Sequence, residues 1–214
     1  ANLLNVEVTI DGTPSPAVGT LAAASLTQLT IISGDEANTI DIQNVDENIF
    51  TSLTGPTAVS ISMGDGDDTF LGSPNVEAMV DAGDGNDTVT SFGASDTILG
   101  GDGDDNILGG DGDDSINAGD GMDVVDGEAG NDPIIGGDGP DMVTGGPGLD
   151  SILGGDGNDV LSGDAGVDFI QGDLGDDILN GGIEDDVLFG GGGADQINGD
   201  AGNDQIFGNS GDDV

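Results

Sequence analysis

Residues 100–117 read GGDGDDNIL followed by GGDGDDSIN, two nonapeptides in direct succession. The same frame extends in both directions. Residues 136–144 are GGDGPDMVT and 154–162 are GGDGNDVLS. Fourteen full nonapeptides fit between Ala82 and Phe207, and a partial one, GNSGDDV, closes the chain. Two looser copies precede them, MGDGDDTFL at 63–71 and GSPNVEAMV at 72–80, with Asp81 as one extra residue before the strict register. A fixed period of this length is the mark of a solenoid. Position six of the frame is Asp68, Glu77, Asp87, Asp96, Asp105, Asp114, Asp123, Asp132, Asp141, Asp150, Asp159, Asp168, Asp177, Asp186, Asp195, Asp204 and Asp213. Position eight is apolar throughout, from Phe70 through Ile107 and Ile152 to Ile206.

That phasing decides between two readings of an extreme composition. The 214 residues include 43 Gly and 44 acids, with no Lys, Arg, His, Cys, Trp or Tyr, and a formal charge of −44. High charge with few aromatics is ordinarily the signature of disorder. A disordered polyanion has no reason to keep acids and hydrophobes in separate columns, so disorder belongs to the cation-free chain. With no cationic side chain, the counter-charge must come from outside. Nucleic acid is excluded as a partner, because phosphates are bound by Lys and Arg. No apolar run approaches the ~18 residues of a spanning helix, so membrane insertion is excluded too. The absence of cysteine and the opening Ala-Asn-Leu-Leu suit an exported protein after cleavage.

Each nonapeptide divides into a six-residue turn and a three-residue strand. Glycines at positions two and four permit φ > 0 and close backbone approach. The turn then directs carbonyl oxygens toward the position-six carboxylate, and a shell of hard oxygens is what Ca²⁺ takes. Metals that seek thiolate or imidazole find no Cys or His. Strand alternation points position eight inward and positions seven and nine outward. Two nonapeptides make a coil of eighteen residues, and stacked coils make two facing parallel sheets over a thin core of Val, Ile and Leu. Seventeen turns would take about 15 ions, one per same-side pair, which offsets most of the charge. Asp68, Asp87, Asp96, Asp105, Asp114, Asp123, Asp132, Asp141, Asp150, Asp159, Asp168, Asp177, Asp186, Asp195, Asp204 and Asp213 are the expected metal ligands.

Residues 1–62 differ, holding only 4 of the 43 glycines and 7 of the 44 acids. Asn5–Ile10 and Leu29–Ile32 carry strand patterning, and Val18–Leu29 is a weak helix candidate. Ser33–Ile40 is a faded copy of the turn, with Asn38 where Asp belongs and Ile40 at the apolar position. The expected organisation is an irregular β-coil cap at 1–62 and a repeat roll at 63–214.

These repeats resemble the RTX, or haemolysin-type, calcium-binding nonapeptide family, closely over 82–214 and loosely over 34–81. The resemblance implies an all-β parallel β-roll, a β-helix-like solenoid, with Ca²⁺ held between adjacent turns by the position-six Asp and turn carbonyls. It also implies a bacterial, exported chain that folds on meeting extracellular calcium. The turns at 72–80, 91–99 and 181–189 depart from the pattern through Asn75, Glu77, Ala94 and Glu184. Pro147 and Gly192 replace a commoner Asp at position three.

Catalysis is not expected, since only carboxylates remain for acid–base work and calcium takes them. An ice-binding face is not expected either, because position seven, running Thr88, Thr97, Asn106, Ser115, Val124, is no regular Thr array. Two outward columns are apolar instead: Leu99, Asn117, Ile135, Leu153, Gln171, Phe189, Phe207 on one sheet, and Val124, Met142, Val160, Ile178 on the other. Such stripes suit lateral contacts. The array stops at Val214 inside a repeat, which suits head-to-tail self-association. The expectation is therefore an extracellular calcium-dependent structural protein that assembles into a filament or coat. The alternative is a calcium-triggered export or folding module of a longer toxin, adhesin or enzyme.

Overall fold

A computed structural model describes residues 29–33, 36–42 and 59–214, together with four two-residue strands, Leu3–Leu4, Thr9–Ile10, Thr13–Pro14 and Leu21–Ala22. The chain winds into a parallel β-solenoid with two faces, an eleven-stranded and a ten-stranded sheet. From Ala78 onward successive strands alternate between the sheets, so each pairs with the strand two further along. Ile116 lies beside Ile134, which lies beside Ile152, a register of eighteen residues. The position-eight side chains fill the space between the sheets. Ile98, Ile107, Ile152, Leu161, Ile170, Leu179 and Leu188 are fully buried. Their neighbours at positions seven and nine face outward, as strand geometry requires.

The strands are longer than the sequence pattern indicates. Asn106–Asp111 and Ser115–Asp120 each hold six residues, running from position seven of one repeat through position three of the next. Gly101 pairs with Gly119 and Asp102 with Asp120, so the ladder continues around the corner. Positive φ at position two makes this possible, 123° at Gly101 and 118° at Gly119. Only positions four to six are left as turn. The corner is imposed by the coil rather than chosen by the residue. Where position two is not glycine, Phe92 (79°), Glu128 (64°), Asp164 (71°) and Asp173 (73°) are held in the same left-handed region.

One part of the register is corrected. Val80, not Met79, pairs with Ile98, and Ala78 stands across from Asp96. Val80 and Ala78 are buried while Met79 is 37% exposed. The extra residue is therefore accommodated inside the turn before Ala78 and not at Asp81. Ala78, not Glu77, occupies position six of that coil, which consequently offers no carboxylate. Pro74 and Val76 lie in this enlarged turn, and burial of Val76 anchors it.

Earlier coils are wider. Leu29–Ile32 pairs with Val59–Ser62, and Thr39–Asp41 with Thr69–Leu71, each at a spacing of thirty residues. The faded turn behaves as read: Ile40 sits beside Phe70 in the core, and the Asn38 amide donates to Asp68 Oδ1. Gly34 and Asp35 of that turn lie outside the described residues. The helix candidate at Val18–Leu29 is contradicted where it is described, because Leu21–Ala22 is a strand pairing antiparallel with Leu3–Leu4. Thr9–Ile10 is a strand, and Asn5–Val8 lies outside the described residues.

The corner geometry gives a direct test. At Gly155, φ is 116° and a Cβ would collide with the Gly137 carbonyl. Gly155→Ala is expected to cost about 3 kcal/mol of stability in saturating calcium. Ser151→Ala, at an outward position of the same strand, should stay within about 0.5 kcal/mol. Urea unfolding of both variants measures the difference.

Candidate metal centre

From Asp87 onward every coil brings two position-six carboxylates to opposite edges of the roll. From Asp68 to Asp195 these side chains are at most 3% exposed. Such groups need partners. One oxygen has one: Oδ1 accepts the backbone N–H of the position-six residue one coil earlier. Asp105 Oδ1 takes the Asp87 N–H at 2.8 Å, Asp123 takes that of Asp105 at 2.8 Å, and Asp141 takes that of Asp123 at 2.9 Å. The ladder continues to Asp213, which accepts from Asp195 at 3.1 Å.

The second oxygen has none. Oδ2 of Asp68, Asp87, Asp105, Asp114, Asp123, Asp132, Asp141, Asp150, Asp159, Asp168, Asp177, Asp186 and Asp195 is buried without a hydrogen-bond partner. Position one explains where this oxygen points. A Cβ on Gly127 would lie 2.7 Å from Asp132 Oδ2 and 2.7 Å from the Gly145 carbonyl oxygen. On Gly136 it would lie 2.5 Å from Asp141 Oδ2 and 2.7 Å from the Gly154 carbonyl oxygen. Glycine at position one thus leaves a cradle faced by a carboxylate oxygen and a carbonyl oxygen from the next coil.

Position four supplies further oxygen. The carbonyls of Gly103, Gly121 and Gly139 accept no backbone hydrogen bond and aim along the axis at the glycine one coil on. Among the described residues no three acidic side chains converge closely enough to enclose an ion by themselves. The donor set is therefore one buried carboxylate per turn supplemented by carbonyls, all hard oxygen, which fits Ca²⁺. Bound there, Ca²⁺ would supply the positive charge that the buried Oδ2 atoms lack.

Electrostatics point the same way. Burial pushes Asp105, Asp114 and Asp141 up to about 7, and Asp87, Asp132 and Asp150 to about 6. The N–H from the preceding coil opposes the shift, and neighbouring carboxylates add to it. Without cations, the roll thus favours protonated side chains.

Among the turns that depart from the pattern, two differ sharply. At 91–99 the Ser91 hydroxyl occupies the position-one cradle and donates to Asp96 Oδ2, so this carboxylate is satisfied without an ion. At 181–189 the geometry is retained. Glu184 adopts φ 82°, its carbonyl faces Gly202, and Asp186 Oδ2 remains unpartnered beside Gly181. Asp204 and Asp213, in the last two turns, are half-buried.

A second ladder was not anticipated from the sequence. Position-five side chains accept the position-five N–H of the next coil, as in Asp104 N–H to Asn86 Oδ1 (3.1 Å), Asn131 N–H to Asp113 Oδ1 (2.9 Å) and Asp176 N–H to Asn158 Oδ1 (2.9 Å). The signal was the frequency of Asn and Asp in that column. It runs opposite to the position-six ladder, one reaching forward and the other back.

A family model describing four copies of the RTX calcium-binding nonapeptide repeat matches the chain in overlapping segments, 79–107, 99–134, 126–161, 135–170, 153–188 and 180–214. No curated protein matches the chain.

The raised carboxyl values make a signed prediction. In the unfolded chain these groups titrate near 3.8. Their stabilising protonation is complete below that value and is lost as pH rises through about 6 to 7. In chelator, circular dichroism should show more β-structure at pH 5 than at pH 8, and calcium should restore it at pH 8. Equal disorder at both pH values would contradict the role assigned to burial.

Proposed function

We propose a function on the premise that this chain belongs to the RTX calcium-binding nonapeptide-repeat family: calcium folds it into a rigid extracellular building element whose coils continue from one copy to the next. The repeat is a calcium-binding, non-catalytic structural motif, characteristic of secreted bacterial proteins. Among the described residues no helix is long and apolar enough to cross a membrane. The position-six Asp residues are the ligands in this reading, Asp96 contributing least because Ser91 already holds it.

The observation that carries assembly is the exposed apolar surface on the outer face of the ten-stranded sheet, Ile135 and Phe207. Ile206 stands in the core column, yet it is 47% exposed, and Phe207 beside it is 44% exposed. Gln196–Ala201 and Gln205–Ser210 are the outermost strands of their sheets. Val214 already bonds to Asp195 and Ile197 at one of these outermost strands, and each can pair with another coil. In the leading reading, the irregular coils of residues 1–62 of a second copy provide it, a head-to-tail contact that propagates into a filament. Lateral contact then runs along the outer face of the ten-stranded sheet, where Phe189 stacks on Phe207 at 4.7 Å and Ile135 is exposed. In the second reading, the next coil belongs to further chain of a longer secreted protein, and the roll is its calcium-triggered folding module.

Electron microscopy with calcium and with EDTA separates the two. Filaments that dissolve in EDTA are expected, and dispersed monomers in excess calcium would remove the assembly reading. The ligand assignment has its own test. Asp141→Asn should lower the number of bound ions and raise the calcium midpoint of folding several-fold. Asp96→Asn should leave the ion count unchanged. Calorimetric titration reads both.

A further inference from the structure

We propose that one turn edge of the calcium-loaded roll binds a cationic amphipathic segment of a different protein, laid along the solenoid axis across an apolar stripe and an acidic comb. The stripe lies on the eleven-stranded sheet. Val124, Met142, Val160 and Ile178 are direct neighbours in register, 45%, 53%, 37% and 38% exposed. Met122, 55% exposed, carries it onto the adjoining turn. The comb lies on the other flank of the same turns. Asp102, Asp120, Asp138 and Asp156 are paired in register on the ten-stranded sheet and all exposed. Three turns connect a tooth of the comb directly to a residue of the stripe, Asp120 to Val124, Asp138 to Met142 and Asp156 to Val160.

A third observation is independent of both. On this edge the position-five ladder uses Asn86, Asp104, Asn158 and Asp176, but it breaks beside the stripe. Met122 offers no acceptor and Pro140 no N–H, so one bond is missing, and the Pro140 side chain offers no acceptor to the Asn158 N–H, so a second is missing. Two hydrogen bonds between coils are forgone where this exposed apolar surface appears, as they are at the exposed Leu149 and Val167 on the opposite edge.

The occupant follows from charge. Carboxylates directly opposite one another across a sheet repel, so the comb calls for cations. Small ions answer the comb but leave the stripe wet. A second copy has no Lys or Arg and would set acid against acid. A segment with an apolar face and Lys or Arg on its flank satisfies both, and exposed methionines adapt to varied apolar partners. Four coils at ~4.8 Å span the length of a helix of about 10 to 13 residues. The proposal requires the loaded roll and is independent of filament formation.

The test uses a labelled Leu/Lys helical peptide of about 14 residues and a scrambled peptide of equal composition, with binding read by fluorescence anisotropy in saturating calcium. The amphipathic peptide is expected to bind at least about tenfold tighter than the scrambled one. Met142→Asn should weaken it about tenfold, while Ile135→Asn on the opposite sheet should not. Asp138→Asn should lower the salt dependence. Val160→Asn serves if Met142→Asn loses its calcium-induced dichroism. Equal binding of both peptides, or no effect of either stripe variant, overturns the proposal. So does a stripe variant that abolishes self-association while peptide binding is unchanged, which would assign the stripe to a second copy.

Discussion

The structure depends on one electrostatic constraint: a column of carboxylates is buried along each edge of the roll, and the chain contains no positive side chain to meet them. Each of these Asp residues fastens one oxygen to the coil before it, through bonds such as Asp141 Oδ1 to the Asp123 amide. In most of them the other oxygen is left without a partner, facing the position-one glycine. The same residue therefore stitches coils together and makes the stitched state unfavourable without a cation. Folding and ion binding become a single equilibrium. A core of one aliphatic side chain per nonapeptide is too thin to overcome that penalty alone.

The first coils relax the constraint in a different way. Around residues 59–98 the core gains Met63, Val76 and Ala82 beyond the single column. Ala78 removes one carboxylate from the position-six array, and Ser91 neutralises the need of Asp96 with a hydroxyl. Packing and hydrogen bonding take over part of what ions do further along. The roll thus changes along its axis from an end filled by side chains to one lined by unpartnered carboxylate oxygens, although the sheets themselves run from Leu29 to Ser210.

Most of the fold was legible because the repeat is so short that each column has one environment. Position eight announced the core, and position six announced the edge. The glycines at position two announced a left-handed corner, which even Phe92 and Glu128 adopt when placed there. What was not legible depended on pairing between coils. The frame alone set Glu77 in the acidic column, whereas the ladder places Ala78 there, because only the partner coil fixes where an inserted residue is absorbed. The six-residue strands were hidden for the same reason: positions one to three look like turn in sequence but hydrogen-bond as strand. In the metal centre, the carboxylates could be named from the sequence. The orphaned oxygen, the position-one cradle and the Ser91 substitute for an ion required coordinates.

The two opposed ladders also give the roll a mechanical character. Position-six side chains reach back one coil and position-five side chains reach forward one coil, so neighbouring coils are bound by contacts loaded in series along the axis. Tension applied along that axis falls equally on every interface, and the weakest yields first. Each yielding event frees eighteen residues, the register of the coil, which is about 60 Å of slack chain at full extension. With Ca²⁺ held by the buried position-six carboxylates at the same interfaces, the surrounding calcium level would set the yield force. A tether made of such coils would lengthen in steps under load and rewind when the load falls, behaving as a spring whose stiffness is set by the medium around it.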